Sequence, residues 1–264
     1  MEITPSAETG KITSFIKTVL EAQGFKKVVI GLSGGVDSAT SFYLLKRTVP
    51  PQNIFVAHLY YFDSQIKEIE PILQDAKIPK ENIYNISIAP MVSTFEVGLR
   101  LRHTSKVNQV RLGNIMARVR MIILFDLAKK NNALVCGTEN KSESLLGYFT
   151  RFGDEASDFE PIQHLYKTQV YQLAKYLNVP QEIIKKSPTA GLWQDQTDEK
   201  EFGFSYKEAD QVLFYYYDKK LKLEEIKRMG LKNVEKIINF SINNSYKHRA
   251  PYTLSTTNTN TKNH

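Results

Sequence analysis

Eight residues at positions 31–38 combine glycines, two hydroxyl side chains and one acid in a pattern that suits phosphate chemistry. The segment follows the apolar run 28–30 and reads Gly31-Leu32-Ser33-Gly34-Gly35-Val36-Asp37-Ser38. Two adjacent glycines let the backbone approach an anion closely, because no Cβ intervenes. A strand that enters such a turn and then a helix directs unpaired N–H groups and the positive end of the helix dipole towards a ligand. The segment therefore predicts a phosphate-binding loop.

The residues that this loop lacks, and its one acidic residue, restrict the class of phosphate-binding loop to which it can belong. It has neither the lysine of a Walker loop, GxxxxGK[ST], nor the spacing of a GxGxxG dinucleotide loop. Asp37 would repel a polyphosphate unless a divalent cation bridges them, which predicts Mg²⁺. The string resembles the SGGxDS pyrophosphate loop of the ATP pyrophosphatase (adenine nucleotide α-hydrolase-like) superfamily, whose members cleave ATP between the α- and β-phosphates. The loop alone does not distinguish among the members of this superfamily, which include NAD, GMP, asparagine and argininosuccinate synthetases and tRNA lysidine or thiolation enzymes.

A second cluster lies in the segment 113–121, where Asn114 and Arg118 are four residues apart. On a helix these two side chains share a face. An amide and a guanidinium on one face suit a nucleotide carboxylate or phosphate. A solvated arginine is the alternative interpretation of this cluster.

Two more clusters follow the predicted strand 133–137. Acid-rich loops at the carboxyl ends of strands can hold the Mg²⁺ of a bound ATP, and Glu143 could supply a carboxylate beside Asp37. Lys167 is placed at the start of a predicted helix, where a cation is unfavourable against the dipole, so it is easier to explain if it faces an anion. Thr189 lies in the turn Pro-Thr-Ala-Gly, and its side-chain oxygen could contact a phosphate or a metal. The alternative interpretation is an ordinary loop.

Together the four clusters resemble the NAD synthetase family in order and spacing over about residues 10–251. That family shows SGGxDS, GNxxARxRM, GTxNxxE with GYxTxxGD, a lysine about a dozen residues later, and PTAGL before an acidic segment. The resemblance implies that Asp37 and Glu143 bind Mg²⁺, and that the loop 31–38, Thr138, Lys167 and Thr189 bind ATP, with Asp154 and Lys167 at the reacting centre. The implied contacts to deamido-NAD are Asn114, Arg118, Arg151, Asp158, Tyr246 and Lys247.

The sequence departs from the family pattern at three places. Arg151 stands where the family usually has lysine, which keeps the charge but changes its geometry. The His-Lys pair of the family is Tyr246-Lys247 here. The segment 61–64 does not match the proline-and-serine stretch expected there, so the residues of the adenine pocket are not identified.

The resemblance implies a reaction in two steps with ATP, deamido-NAD and ammonia as substrates. The nicotinate carboxylate attacks the α-phosphate of ATP, and ammonia then displaces AMP to form the amide of NAD. It also implies a homodimer, for which the apolar helical surfaces 11–20 and 111–127 are suitable. A tRNA-modifying pyrophosphatase is the runner-up and would predict an RNA-binding appendage or thiol chemistry. A non-catalytic nucleotide-binding module would leave Glu143, Lys167 and Thr189 without a purpose.

The apolar pattern predicts the elements that must position these clusters. Strands at 27–32, 54–60, 83–88 and 133–137 alternate with helices at 36–47, 64–76 and 111–130. An amphipathic helix at 11–23 precedes them. This order predicts an α/β, Rossmann-like fold with a parallel sheet and helices on both faces, whose ligands gather at the carboxyl ends of the strands. Beyond residue 140 we expect an irregular stretch and then a C-terminal helical segment at 166–177, 205–218, 222–229 and 232–244.

Composition limits the class of protein. The 264 residues are 42% hydrophobic with a net charge of +7, which predicts a single domain over residues 1–251 and anionic partners. The lysines are scattered, so we expect solvated helix faces and no nucleic-acid partner. The lone cysteine, Cys136, lies in an apolar strand and predicts a buried, inert thiol. With no run of about 20 apolar residues and no export signal, we expect no membrane partner and a cytoplasmic location. The polar tail 252–264 is predicted to be disordered.

Overall fold

A four-stranded parallel sheet lies at the centre of the protein. A computed structural model describes residues 1–62, 69–101, 105–193 and 196–248. The strands are β1 (Val28–Gly31), β2 (Ile54–Tyr60), β3 (Ile83–Ser87) and β4 (Leu134–Cys136), in the order β3-β2-β1-β4. Ile30 of β1 is in register with Val56 of β2 and Cys136 of β4. The predicted parallel sheet is confirmed, and the segments 31–38 and 137–143 begin at the carboxyl ends of its two neighbouring strands β1 and β4.

The helices of the described residues alternate with the strands and then continue alone. They are α1 (Pro5–Gln23), α2 (Val36–Leu45), α3 (Glu70–Ala76), α4 (Ala89–Gly98), α5 (Lys106–Asn131), α6 (Lys141–Leu146), α7 (Lys167–Tyr176), α8 (Gln181–Ile184), α9 (Asp198–Phe202), α10 (Tyr206–Leu213), α11 (Leu223–Arg228) and α12 (Val234–Asn244). A π-helical turn over Phe214–Asp218 follows α10 directly. No helix of the described residues is long and apolar enough to cross a membrane.

Successive residues of each strand point to opposite faces of the sheet, and helices cover both faces. Val28 and Ile30 pack into a core that also contains buried side chains of α1, α2 and α7. Val29 and Val135 point the other way, into a core that includes residues of α4 and α5. Burial on both faces explains why the strands are almost uniformly apolar, and the expected layers of the α/β fold are confirmed.

The C-terminal helices form a third core of their own. Leu146 of α6, Phe202 of α9, Leu213 of α10 and Ile237 of α12 are buried together there. The fully buried Asp210 connects this core to the sheet edge, because it accepts hydrogen bonds from the Ser142 hydroxyl in α6 and from the Thr168 N–H in α7 at 2.8 Å. The predicted C-terminal helical segment is therefore present and is fixed against the carboxyl end of β4.

Several predicted boundaries are wrong, for local reasons. The first helix starts at Pro5 instead of residue 11, since proline is favoured in the first turn. The helix predicted over 111–130 starts at Lys106, where the Ser105 hydroxyl accepts the Asn108 N–H at 3.3 Å. The helix predicted over 205–218 gives way to the π-helical turn after Leu213.

Other differences concern elements that the sequence pattern missed. The irregular stretch expected after residue 140 is wrong for α6, α8 and α9, and α4 was not predicted. Helices of four to six residues, such as α6, α8 and α9, are too short to show a period of 3.6. Of the predicted helix 64–76, the part at 64–68 lies outside the described residues, as does the predicted tail 252–264.

Candidate active site

The loop between β1 and α2 has the geometry of an anion-binding turn. Gly34 has φ +81°, a left-handed conformation that favours glycine. The Ser33 N–H donates to Ser38 Oγ at 3.2 Å, and the Gly35 N–H donates to Ser33 Oγ at 3.2 Å. These two hydroxyls hold the turn just before α2, whose first N–H groups have no partner inside the helix. The strand, glycine turn and helix start that the sequence predicts for residues 28–38 are therefore present.

Lys167 joins this loop to the acidic segment after β4. Its side chain is 3% exposed, and its Nζ lies 2.6 Å from Asp37 Oδ2 and 2.9 Å from Glu143 Oε1. Burial opposes the charge of Lys167, but the two carboxylates outweigh it and raise the pKa of Lys167 well above its usual range. The anion that the sequence predicted opposite Lys167 is thus a pair of carboxylates. Three of the predicted site residues are brought together here.

Asn140 holds this arrangement in place and was missed by the sequence reasoning. It is fully buried, its Nδ2 donates to Asp37 Oδ1 at 2.9 Å, and its Oδ1 accepts the Glu143 N–H at 3.0 Å. The second hydrogen bond caps α6 at its N-terminus. An asparagine followed three residues later by glutamate just before a helix is a capping signal that could have identified it.

A third acid, Asp198, extends the negative charge of the site. It is 3% exposed, it accepts the Tyr206 hydroxyl at 3.0 Å, and the Tyr148 hydroxyl lies 3.2 Å from its other oxygen. Burial raises the pKa of Asp198 and Lys167 lowers it. Burial likewise raises the pKa of Glu143 to about 7, against the opposing effect of Lys167. Tyr148 belongs to the GYxTxxGD pattern, but sequence spacing does not show that α9 and α10 bring Asp198 and Tyr206 to it.

The carboxylates fit a magnesium ion that arrives with a nucleotide. Mg²⁺ in nucleotide sites takes one or two protein carboxylates and fills its other positions with phosphate oxygens and water. Asp37 and Glu143 together supply two carboxylates, which one lysine does not neutralise. No group of three or more His, Cys, Asp or Glu suited to a metal ion occurs in the part of the chain that the structure describes. The donor set therefore suits a shared metal better than a protein cage.

The face of α5 predicted from Asn114 and Arg118 exists and contacts the loop 147–154. The Thr150 hydroxyl donates to Asn114 Oδ1 at 3.0 Å, and Arg118 Nη2 donates to the Arg151 carbonyl at 3.1 Å. Lys247 reaches the same loop from the C-terminal end of the described chain, donating to the carbonyls of Gly147 at 2.7 Å and Phe149 at 3.0 Å. The side chains of Asn114, Arg118 and Lys247 therefore all form hydrogen bonds with the loop 147–154.

The remaining predicted residues occupy separate positions. Asp154 accepts the Thr150 N–H at 2.8 Å and keeps an exposed surface, while the surrounding protein desolvates it and raises its pKa. Asp158 Oδ2 accepts the Val135 N–H of β4 at 2.7 Å. Tyr246 is 51% exposed, and Thr138 is half-buried two residues beyond β4.

Thr189 lies in a loop that folds onto α5. Its Oγ1 accepts the Gly191 N–H at 3.1 Å. A Cβ on Gly113 would lie 2.8 Å from the Leu192 side chain, so the loop rests against the helix where glycine leaves room. Within the described residues, no hydrogen bond joins Thr189 to Asp37, Glu143 or Lys167.

Cys136 is the buried thiol that the sequence predicts. It is 2% exposed, and burial, with a smaller contribution from Glu160, raises its pKa well above the usual value. A thiol with a raised pKa holds little thiolate and is a poor nucleophile.

Comparison with known proteins agrees with this geometry. A family model described as NAD synthase matches residues 8–251. An NH(3)-dependent NAD(+) synthetase of Fusobacterium nucleatum is 39% identical over 246 residues, covering 91% of this chain and 92% of the relative. The structure of an NH3-dependent NAD synthetase from Campylobacter jejuni is 32% identical with a TM-score of 0.77, covering 96% of this chain and 100% of that one.

A further solved structure, an NMN synthetase from Francisella tularensis, is 33% identical with a TM-score of 0.79. It covers 95% of this chain and 98% of that one. These relatives match nearly the whole length of the chain. The loop 31–38, Lys167 and the carboxylates of Asp37 and Glu143 lie together, as the resemblance implies. The chain belongs to the NAD synthase family of ligases.

Proposed function

We propose that this chain is an ammonia-dependent NAD synthetase, which amidates deamido-NAD at the cost of ATP and yields NAD, AMP and pyrophosphate through an adenylated intermediate. The observation that carries the proposal is the contact of Lys167 with both Asp37 and Glu143 beside an anion-binding turn. Relatives named NH(3)-dependent NAD(+) synthetase, which match about nine-tenths of the chain, support the same substrates.

In the first step, the turn 31–38 binds the phosphates of ATP, and Thr138 and Thr189 contribute hydroxyls. Asp37 and Glu143 would hold the Mg²⁺, which, when bound, neutralises phosphate charge and favours departure of pyrophosphate. Lys167 offsets part of the charge of the two carboxylates before ATP binds, and its ammonium is available to a phosphate oxygen when ATP supplies the anion. The nicotinate carboxylate attacks the α-phosphorus, the bond to the bridging oxygen breaks, and pyrophosphate leaves.

In the second step, ammonia attacks the carbonyl carbon of the adenylate. The C–N bond forms, the C–O bond to AMP breaks, and the nitrogen must lose one proton. Asp154 is a suitable acceptor because it keeps contact with solvent while its surroundings raise its pKa. No residue of the protein forms a covalent bond in either step.

The deamido-NAD site lies around the loop 147–154 in this proposal. Asn114, Arg118 and Lys247 form hydrogen bonds with that loop, and Arg151 is part of it. Asp158 is anchored to β4 with one oxygen, which leaves the other for a ligand. Tyr246, half-exposed beside Lys247, would complete the set. We also propose that residues 1–251 form a single NAD synthetase domain. A cytoplasmic location is the remaining part of the proposal.

A homodimer is also proposed. The predicted surface 11–20 offers only Phe15, which is 42% exposed, because Ile12 and Ile16 are buried in the chain's own core. More apolar side chains that are over one-third exposed occur on α5, at Val107, Val110 and Ile122, and on α4 and the residue after it: Met91, Phe95, Val97 and Leu99. Exposed apolar surface of this kind suits a subunit interface. A monomer at micromolar concentration in sedimentation, with full activity, would exclude the dimer.

One assay tests the main proposal. The purified chain with ATP, Mg²⁺, ammonium and deamido-NAD should release AMP and pyrophosphate in equal amounts, together with NAD, and neither product should form without deamido-NAD. Release of ADP and phosphate would contradict it, because the superfamily cleaves ATP between the α- and β-phosphates. The Asp37→Ala variant is the matched control for contaminating ATPase activity.

A second candidate substrate is nicotinate mononucleotide, whose amide is NMN. The observation that favours it is the near full-length match to the structure from Francisella tularensis, whose title names an NMN synthetase. Measuring kcat/KM for the mononucleotide and for deamido-NAD with the same preparation decides between them. The proposed assignment requires the larger value for deamido-NAD.

A further inference from the structure

A second acidic cluster lies at the carboxyl end of β4, outside the contacts of Lys167. It consists of Glu139 and Glu160, with Ser157 and Gln163 beside them. Glu160 Oε2 accepts the Glu139 N–H at 3.0 Å, and Glu160 Oε1 accepts the Ser157 hydroxyl at 2.8 Å. Glu139 Oε2 accepts the Gln163 amide at 2.6 Å. Three of the four carboxylate oxygens therefore have a neutral donor.

The fourth oxygen has no partner among the described residues. Glu139 is 7% exposed, and its Oε1 is buried without a hydrogen bond. A buried carboxylate oxygen without a donor is costly, because water is lost and nothing replaces it. Neither carboxylate has a cationic partner among the described residues. The pair therefore has an unused acceptor and, whenever it is ionised, a negative charge that no cation among the described residues compensates.

The strand end is shaped to bring the two acids together. A Cβ on Gly137 would lie 1.7 Å from Glu160 Oε1, so only glycine lets this carboxylate lie against the backbone. Glu139 stands in the chain between Thr138 and Asn140, and Asn140 binds Asp37. The pKa of both Glu139 and Glu160 is raised to about 8, mainly by burial, with smaller contributions from Glu143 and Asp154. Glu139 and Glu160 are thus close enough to the candidate active site for its acids, Glu143 and Asp154, to raise their pKa.

We propose that Glu139 and Glu160 bind an ammonium ion and supply the nitrogen of the reaction, an inference that depends on the proposed function. Ammonium is a small cation with four N–H donors, and Glu139 Oε1 is an acceptor that lacks one. Mg²⁺ would need phosphate oxygens or several waters to complete its ligands, and Glu139 is buried. Transfer of one proton from ammonium to a carboxylate gives neutral ammonia and a carboxylic acid. The ammonia then attacks the adenylate, and the acid returns its proton to solvent.

Thermal unfolding tests binding without any turnover. At pH 8.5 and equal ionic strength, the melting temperature is compared in ammonium, potassium and tetramethylammonium chloride. We expect ammonium at about ten times its dissociation constant to raise the Tm by roughly 3 °C over tetramethylammonium, with potassium having a smaller effect. The ammonium shift should vanish in Glu139→Gln, which keeps the shape but loses the charge. An equal shift with potassium, or an unchanged ammonium shift in Glu139→Gln, would overturn the assignment.

Steady-state kinetics provide the second test. The apparent KM for ammonium should rise about tenfold in Glu139→Gln and Glu160→Gln, as for the loss of one hydrogen bond to a charged group, while the KM for deamido-NAD stays within about twofold. The control is Glu8→Gln, since Glu8 is also buried but has Lys11 and His164 on its two oxygens. A chain that makes no NAD but shows the ammonium shift would refute the proposed function alone. A chain that makes NAD with an unchanged KM for ammonium in both variants would refute the ammonium site alone.

Discussion

Replacing Lys167 with methionine should destabilise the protein in a pH-dependent way. The Lys167 side chain is 3% exposed and touches Asp37 and Glu143, whose side chains are each 17% exposed. Methionine fills most of the same volume but leaves the two carboxylates facing each other without a cation. Removing one partner of a buried ion pair costs about 3–5 kcal/mol. At about 2–4 °C per kcal/mol for a chain of this size, the Tm should fall by roughly 6–20 °C.

The pH dependence follows from Glu143. Burial raises its pKa to about 7 in the folded protein even though Lys167 opposes the shift, so removing Lys167 must raise it further. A carboxyl group whose pKa is higher in the folded state gives its full stability below the unfolded-state pKa and loses it as the pH rises through the folded-state pKa. The deficit of Lys167→Met should therefore be largest at pH 8. It should shrink at pH 5 by about 1.4 kcal/mol for each unit by which the pKa of Glu143 has risen.

The assay is urea unfolding of the parent and variant at pH 5, 6, 7 and 8. Lys141→Met is the matched control, because Lys141 pairs with Asp218 at 2.7 Å but both side chains are about one-quarter to one-third exposed. Its cost should be at most about 1 kcal/mol. Adding Glu143→Gln to Lys167→Met should restore part of the lost stability. A variant as stable as the parent at pH 8, or a deficit equal at pH 5 and pH 8, would refute the reasoning.

Three further predictions follow from the same geometry. Asp37→Ala and Glu143→Ala should each lower turnover on the order of 10²-fold or more while keeping the far-UV circular dichroism of the parent, and near-normal turnover in both at ordinary Mg²⁺ would exclude them as metal ligands. Cys136→Ser should keep most of the turnover, and glutamine should not replace ammonium, because the thiol is buried with a raised pKa; glutamine-dependent NAD formation that is lost in Cys136→Ser would contradict this. Gly113→Val should raise the KM for ATP several-fold with little change in Tm, because a side chain there meets Leu192 at 2.8 Å and displaces the loop that carries Thr189; an unchanged KM would show that this loop does not contact ATP.

Local signals explain what the sequence could predict about this site. The strand, turn and helix around Asp37 are contiguous, so residue types alone indicate the loop 31–38. Lys167 is out of place against a helix dipole, which indicates an anion opposite it. The parallel order of strands then places the ends of β1 and β4 together, as observed.

Tertiary packing produces the parts that could not be predicted. Tyr148 and Tyr206 meet Asp198 only because α9 and α10 fold over the end of α6, and the spacing of these residues in the sequence does not indicate that contact. Glu139 and Glu160 are 21 residues apart and meet where Phe159 pairs with Cys136 beyond the sheet edge. Periodicity describes one element at a time, and these contacts lie between elements.

Asn140 has a consequence for attempts to stabilise this protein. Its side chain starts α6 and also donates to Asp37. Aspartate caps a helix as well as asparagine does, but it has no amide to donate and would place a like charge beside Asp37. Asn140→Asp should therefore lower the thermal stability although the cap survives, because the added charge would be buried beside Asp37. Selection for stability must therefore keep the asparagine, whose one amide serves both the helix cap and Asp37.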